Sequence, residues 1–560
     1  MKGAPMTKSI LHFFLVVLFL LLPCLAFAEE PMPTTTDPAR GAMKFKAGEI
    51  IVKFKGGIPQ ARIQPLLLTG DMSILDEMSN LGLMLLSVPQ GRELEKVEEL
   101  KRNPLVEYAV PNSVVRIVDP IAIEPHDRLR APDVIPDDPY FPSQWNLSKI
   151  EAPAAWDITT GSDKIVIAFV DSGVDLDHPE FKDKIWTNDD PPGDADGDGD
   201  PDDDQNGFVD DVHGWDFVNW DGEPQDDYGH GTFVASIAAA ETNNGLGMAG
   251  VSWGAKIMPI KAFDERGVSC HWHTAGGIEY AANNGARIIN LSWTLYDYID
   301  PQPLQAAINH AHSKGALVVA AAGDSHDDSY QYPAALDHVV SVAATDPDDG
   351  HPDFSTYNDK VDVAAPGVDI LGLYQDTHAR LPSTRFAAPH VSGLAALVWS
   401  VNPYLTADEV ENIIESTAVD LGEPGRDDKF GHGRIDASAA VMTTRHYLEV
   451  EPDDALYFLV CDDCDPPSRK ITNPNTNCST WSVTAAATWL SISDCEGYTP
   501  SWVTVSINKG DLPGYGFHTA PITATSTMTN YVNNPKTITA TVNYSSQCWR
   551  NYLPLLFKGS

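Results

Sequence analysis

Ile165 to Val170 is a continuous apolar run, and Ala286 to Leu291, Ala316 to Ala321 and Val339 to Ala344 repeat the pattern. A strand with one wet face would alternate apolar and polar residues. Runs like these suit parallel strands covered on both faces. Helical stretches lie between or after them, at Thr274 to Asn283, Pro303 to Ser313 and Phe386 to Val401. Residues 137–443 therefore read as a doubly wound α/β domain. Ligands are expected at the carboxyl ends of its parallel strands.

The 560-residue chain is too long for one domain. Residues 44–116 look like a small α+β unit. Its strands are Glu49 to Phe54 and Gly82 to Val88, its helix is Glu93 to Arg102 with Leu94, Val97 and Leu100 on one face, and Val106 to Asn112 closes it. Residues 117–136 form a Pro-rich linker. From about residue 447 short alternating strands appear, such as Trp502 to Ile507 and Thr537 to Val542, and predict a β-sandwich over 447–560. Residues 1–28 read as a signal peptide: Lys2 and Lys8, the apolar run Ile10 to Leu22, and the cleavage site Ala26-Phe27-Ala28. The other reading is a membrane anchor, for which the run is short.

With 79 acidic and 37 basic residues the formal net charge is −42. Phosphate backbones and anionic membranes are poor partners for such a chain. The charge suits an exported protein or one that holds cations. Five cysteines, Cys461, Cys464, Cys478, Cys495 and Cys548, crowd into the C-terminal region, which suggests local disulfides. Zinc is the weaker reading, since Cys461 and Cys464 have no second pair at metal spacing. Cys270 stands alone.

Asp171 ends the first strong strand, in Phe169-Val170-Asp171-Ser172-Gly173. His230 lies in Asp227-Tyr228-Gly229-His230-Gly231-Thr232 and opens a helix from Phe233 to Ala240. Further on comes Ser383-Thr384-Arg385-Phe386-Ala387-Ala388-Pro389-His390. The Asp171 and His230 signals alone are weak. In this order, Asp then His then an Ala-Ala-Pro-His helix, they resemble the subtilisin family of serine peptidases. The resemblance covers roughly residues 44–443. It implies a propeptide that acts as chaperone and cleft inhibitor, an α/β catalytic domain, and a peptide as ligand. In the C-terminal region, Thr488 to Ile492 is similar to the Ig-like BACON modules of secreted bacterial enzymes.

The departures matter as much. The family has its nucleophilic Ser at position 385, where this chain has Arg. It has the oxyanion Asn at position 324, where this chain has Asp, after Ala322 and Gly323. The substrate-binding strand Ser292-Trp293-Thr294 carries Thr294 where the family has Gly, and Ser383 also replaces a Gly. A guanidinium is no nucleophile, and a carboxylate repels developing oxyanion charge. The expectation is an inactive or strongly impaired homologue, with Arg385 paired to Asp324 or Asp171. A misread position 385, or rescue by Ser383 or Thr384, would leave an active endopeptidase. A third reading is an adhesin that binds surface glycans through the sandwich.

Residues 189–211 carry eleven Asp. Asp194, Asp196 and Asp198, then Asp200, Asp202, Asp204 and Asn206, then Asp210 and Asp211, alternate as oxygen ligands do around Ca²⁺. No Glu stands at the twelfth position, so the loop is not an EF-hand. The other reading is a solvated acidic loop. His271 and His273 read as a surface loop rather than a metal pair. Asn146, Asn290, Asn477 and Asn543 sit in N-x-S sequons. The terminal Tyr552 to Lys558 could be an edge strand or an anchoring tail.

Overall fold

The computed structural model describes residues 34–37, 43–117, 135–188, 202, 204, 206–295, 300–375 and 377–444. Beyond these it describes mainly the C-terminal strands named below. The signal segment, most of the linker, Asp194 to Asp200, the clustered cysteines' side chains and the terminal tail lie outside the described residues. The chain divides into two compact units, residues up to 75 with 85–113, and residues 76–84 with 114 onward.

The larger unit is built on a seven-stranded parallel sheet. Its strands are β1 (Val166–Asp171), β2 (Trp215–Asp216), β3 (Lys256–Lys261), β4 (Ile288–Leu291), β5 (Leu317–Ala321), β6 (Val339–Thr345) and β7 (Val363–Pro366). They lie in the order β7-β6-β5-β4-β1-β3-β2. The order runs outward in both directions from β1 and β4, so this is the doubly wound arrangement expected from the apolar runs.

Helices cover both faces. On one side lie α1 (His230–Ala239) and α4 (Thr384–Val401), packed in one core with Ile167 and Phe169 of β1. On the other lie α2 (His271–Asn283) and α3 (Gln302–Ser313). There Gly277 of α2 sits so close to Val170 and Ile260 that a Cβ would come within 2.7 Å of Val170 Cγ1. Helix α4 is buried along almost its whole length. Phe386 at its start is fully buried, and burying such a side chain is worth about 1.5–3 kcal/mol.

One expectation fails here. His271 and His273 are not in a surface loop. They open α2 and are 0% and 9% exposed. Burial holds the His271 imidazole neutral, with a pKa pushed down to about 3. Asn146 and Asn290 are also buried, so neither sequon is open to a glycan.

In the smaller unit the strand Met43–Phe54 runs antiparallel to Val106–Arg116, with Ile51 opposite Val110. The helices Gln60–Thr69 and Glu93–Lys101 complete the α+β pattern. The far end of the second strand belongs to the larger unit, where Val114–Arg116 pairs antiparallel with Val268–Cys270. The C-terminal region contains two sheets. The larger holds Ala455–Cys461, Lys536–Ser545, Gly516–Ser526, Thr480–Ala485 and Glu496–Tyr498, and the smaller holds Ser468–Asn473, Ser501–Ile507 and Leu490–Ile492. Two mainly antiparallel sheets are the strand content that a β-sandwich requires. No helix among the described residues is long and apolar enough to cross a membrane.

Candidate active site

Asp171 is the last residue of β1 and is completely buried. Its Oδ1 accepts the Ser172 N–H and lies 2.8 Å from His230 Nδ1. His230 is the first residue of α1, after Gly229 at φ 105°. The helix start meets the strand end closely. A Cβ on Gly231 would come within 1.9 Å of the Gly173 carbonyl oxygen and 3.2 Å of Asp171 Cβ.

Asp226, which carries no signal in the sequence, holds this junction together. Its carboxylate accepts the N–H groups of Tyr228, Gly229 and Thr232 and the hydroxyls of Ser172 and Thr232. Ser172 Oγ in turn accepts the Gly231 N–H. Burial pushes the Asp226 carboxyl up, and these bonds oppose the shift. Lys261, 1% exposed, donates to the Ser172 carbonyl and to Asp227. The His-bearing helix is thus fixed to the strand end by a closed polar network, which is what pre-organisation of an imidazole requires.

The third segment differs. Ser383 is the N-cap of α4 and Arg385 is its second helical residue. Arg385 is 1% exposed. Its Nη1 lies 3.7 Å from Asp324 Oδ2. A cation at a helix N-terminus opposes the helix dipole, so a neighbouring anion is needed. Asp324 supplies it. The same carboxylate accepts the Ser383 hydroxyl at 2.5 Å, the Thr384 N–H at 2.9 Å and the Thr384 hydroxyl at 2.9 Å. The Thr384 hydroxyl also accepts the Gly323 N–H at 3.1 Å. Ser383 and Thr384 are fully buried, with their hydroxyls committed to Asp324.

Ser292 Oγ donates to the Arg385 carbonyl, and Trp293 Nε1 to the Val170 carbonyl. Thr294 is 1% exposed and Ala322 is buried. Gly323 has φ 112°, and a Cβ there would meet Gln331 Cγ at 2.6 Å. The residues read as the nucleophile position, oxyanion position and substrate strand therefore come together at the carboxyl ends of β4 and β5 and the start of α4.

Of the acidic loop, Asp202, Asp204, Asn206, Asp210 and Asp211 are described. Asn206 ties them together. Its N–H donates to Asp202 and Asp204, and its amide to Asp204 and Asp211. Asn188 bridges Asp204 and Asp211, and Tyr280 donates to Asp211. Burial pushes the Asp211 carboxyl up to about 6 against these bonds. The oxygen donors suit a hard cation, but among the described residues no three acidic or imidazole side chains converge as ligands.

A second acidic place has no counterpart among the sequence motifs. Glu180 is 2% exposed, and neither carboxylate oxygen has a hydrogen-bond partner among the described residues. Burial, with Asp138 and Glu241 nearby, pushes its pKa up to about 8. Asp138 accepts the N–H groups of Asn243 and Asn244. A buried carboxyl left without donors is the expected mark of a cation ligand or of a neutral acid.

Residues 162–433 match the model of the subtilase family, and residues 31–112 match that of the fervidolysin N-terminal prodomain. The chain is 40% identical to thermitase of Thermoactinomyces vulgaris over 309 residues, which is 55% of this chain and 99% of thermitase. It is 34% identical over 398 residues to a thermophilic serine proteinase of Bacillus sp. (strain AK1), covering 70% of this chain and 87% of that protein. Among solved structures it is similar to fervidolysin from Fervidobacterium pennivorans, a keratinolytic enzyme related to subtilisin. That match has a TM-score of 0.59 at 20% identity, over 88% of this chain and 72% of that one, and bears on the fold alone. With an Asp–His pair at the strand end, the Ala-Ala-Pro-His helix and a prodomain in place, this chain belongs to the subtilase family.

Proposed function

We propose that this chain is an exported subtilase homologue whose peptidase centre is silenced and whose cleft serves as a peptide-binding or scaffold surface. One observation carries the reading: a buried Arg385 beside Asp324 stands where the reaction needs a hydroxyl and an oxyanion donor. Acyl transfer by this family needs His230 to take a proton from the nucleophile. A guanidinium has neither a removable proton at working pH nor a nucleophilic oxygen. The Asp171–His230 pair then has no nucleophile to activate and serves to hold the strand end against α1.

The prodomain is proposed to stay covalently attached as the cleft's own inhibitor, because its removal in this family is autocatalytic. Calcium is proposed to be held by the acidic loop through Asp202, Asp204 and Asp211, with Asp194 to Asp200 completing the set. Its double charge would offset the loop's self-repulsion.

The test is hydrolysis of denatured casein and of peptide anilides by the purified chain. No turnover above that of a His230→Ala variant is expected. Turnover that disappears with a serine-directed inhibitor would restore the active-endopeptidase reading.

A further inference from the structure

The Arg385 backbone N–H is spoken for. It donates to Ser383 Oγ at 3.0 Å. The N–H groups of a helix's first turn have no partner within the helix and point out of its end. Together they make an anion site, and in an acyl-transfer enzyme such groups receive the oxyanion. Here the first two are taken. Thr384 N–H goes to Asp324 Oδ1, and Arg385 N–H goes to the Ser383 hydroxyl. That hydroxyl passes its own hydrogen to Asp324 Oδ2. The Asp324 carboxylate and the Ser383 hydroxyl therefore take up, from inside the protein, the first two N–H groups that an incoming anion would need.

Ser383 is the hinge of this arrangement. Its φ is −177°, extended backbone that any residue can adopt, so the conformation does not select the side chain. What the side chain adds is the cap.

We propose that Ser383 and Asp324 form a self-occupied oxyanion site, so that the centre is closed independently of Arg385. The inference rests on the silenced-centre reading and deepens it. Ser383 acts as a positioning residue: it withdraws the position-385 N–H from the cleft and aims Asp324 at the helix start. It follows that a serine restored at position 385 would meet His230 but find no donors for the oxyanion.

The test compares Arg385→Ser alone, Arg385→Ser with Asp324→Asn, and the triple variant that adds Ser383→Gly. Each full-length chain is treated with a fluorophosphonate, which phosphonylates an activated serine as fluoride leaves and His230 takes the serine proton, and whose phosphoryl oxygen, charged in the transition state, enters the hole. Labelling is followed by intact mass. Arg385→Ser should label no faster than Arg385→Ala. Adding Asp324→Asn and Ser383→Gly should accelerate labelling by about 10²-fold or more, the scale of one oxyanion donor.

Thermal melts verify folding. If the triple variant does not melt cooperatively, Arg385→Ser with Ser383→Ala frees the same N–H, keeps a Cβ, and should label faster than Arg385→Ser alone. Equal rates for Arg385→Ser and the triple variant would overturn the proposal. So would a folded triple variant that stays unlabelled. Labelling of the unmodified chain would instead sink the silenced-centre reading.

Discussion

Arg385 Nη1 and Asp324 Oδ2 lie 3.7 Å apart, with the Arg385 side chain 2% and the Asp324 side chain 18% exposed. Between these two atoms this is charge pairing rather than a direct hydrogen bond. The two residues replace the family's hydroxyl and amide with opposite charges, and each makes the other tolerable. Asp324→Ala should therefore destabilise by roughly 3 kcal/mol, the low end for breaking a buried pair, since one side chain keeps some water. Arg385→Met together with Asp324→Asn should cost about 1 kcal/mol or less, because no lone charge remains. Urea denaturation of Arg385→Met, Asp324→Asn and the double variant gives the coupling. A coupling near zero would show that the two charges were fixed independently.

Much of this centre was legible because its parts are local. Asp171 ends an apolar run, His230 sits between glycines, and Ala387-Ala388-Pro389-His390 fixes the register of Arg385. That Arg385 would pair with Asp324 or Asp171 followed from opposite charge at two positions the family resemblance places side by side, and Asp324 is the partner. What escaped reading depends on contacts across long sequence separations. Asp226 reaches Ser172 across 54 positions, and Glu180 lies near Asp138, far back in the sequence. His271 and His273 misled because imidazoles flanking a tryptophan look like a wet turn; only the packing of α2 against the sheet buries them. Ser383 as an N-cap was within reach, since Ser before a helix is a known signal. Its place two residues before the missing nucleophile drew attention to its hydroxyl as a substitute instead.

Glu180 sets a pH dependence. Its carboxyl is raised to about 8 by burial and by Asp138 and Glu241. A raised acid is more protonated in the folded than in the unfolded state. Its contribution to stability is fully present below the unfolded value of about 4.3 and is lost as pH rises toward 8. In chelator, Tm should fall across pH 5 to 8 more steeply for the unmodified chain than for Glu180→Gln. Parallel curves from the two proteins would place the carboxyl elsewhere in the titration.

Calcium should act on the acidic loop. Asp211 is fully buried, and Asn188, Asn206 and Tyr280 already orient its carboxylate. Ca²⁺ at 100 times its Kd should stabilise the fold by about 2.7 kcal/mol, read as a rise in Tm over a chelator-treated sample. Asp202→Asn with Asp204→Asn should remove most of that rise while changing the chelated Tm little, since both residues sit in a solvated loop. A calcium response untouched by these changes would assign the ion to another place, with Glu180 and Asp138 the next to be substituted.

Covalent retention of the prodomain would follow from the proposed silencing of the centre and is the most direct readout of it. In this family the prodomain is removed by the enzyme's own chemistry, so a chain without a nucleophile keeps it. The purified protein should have the mass of the full chain, less only a leader removed by the export machinery at about residue 28. Loss of residues to about Pro136 in the unmodified chain, under conditions free of other proteases, would mean that it cleaves itself and that Arg385 does not silence it. Arg385→Ser alone should also keep the prodomain, because Ser383 and Asp324 hold the position-385 and position-384 N–H groups. Were that single change to release it, the Asp171–His230 pair would be competent as it stands, and Arg385 alone would be the lock. Intact mass over several days of incubation separates the two outcomes without any choice of substrate, since the cleavage site belongs to the same chain.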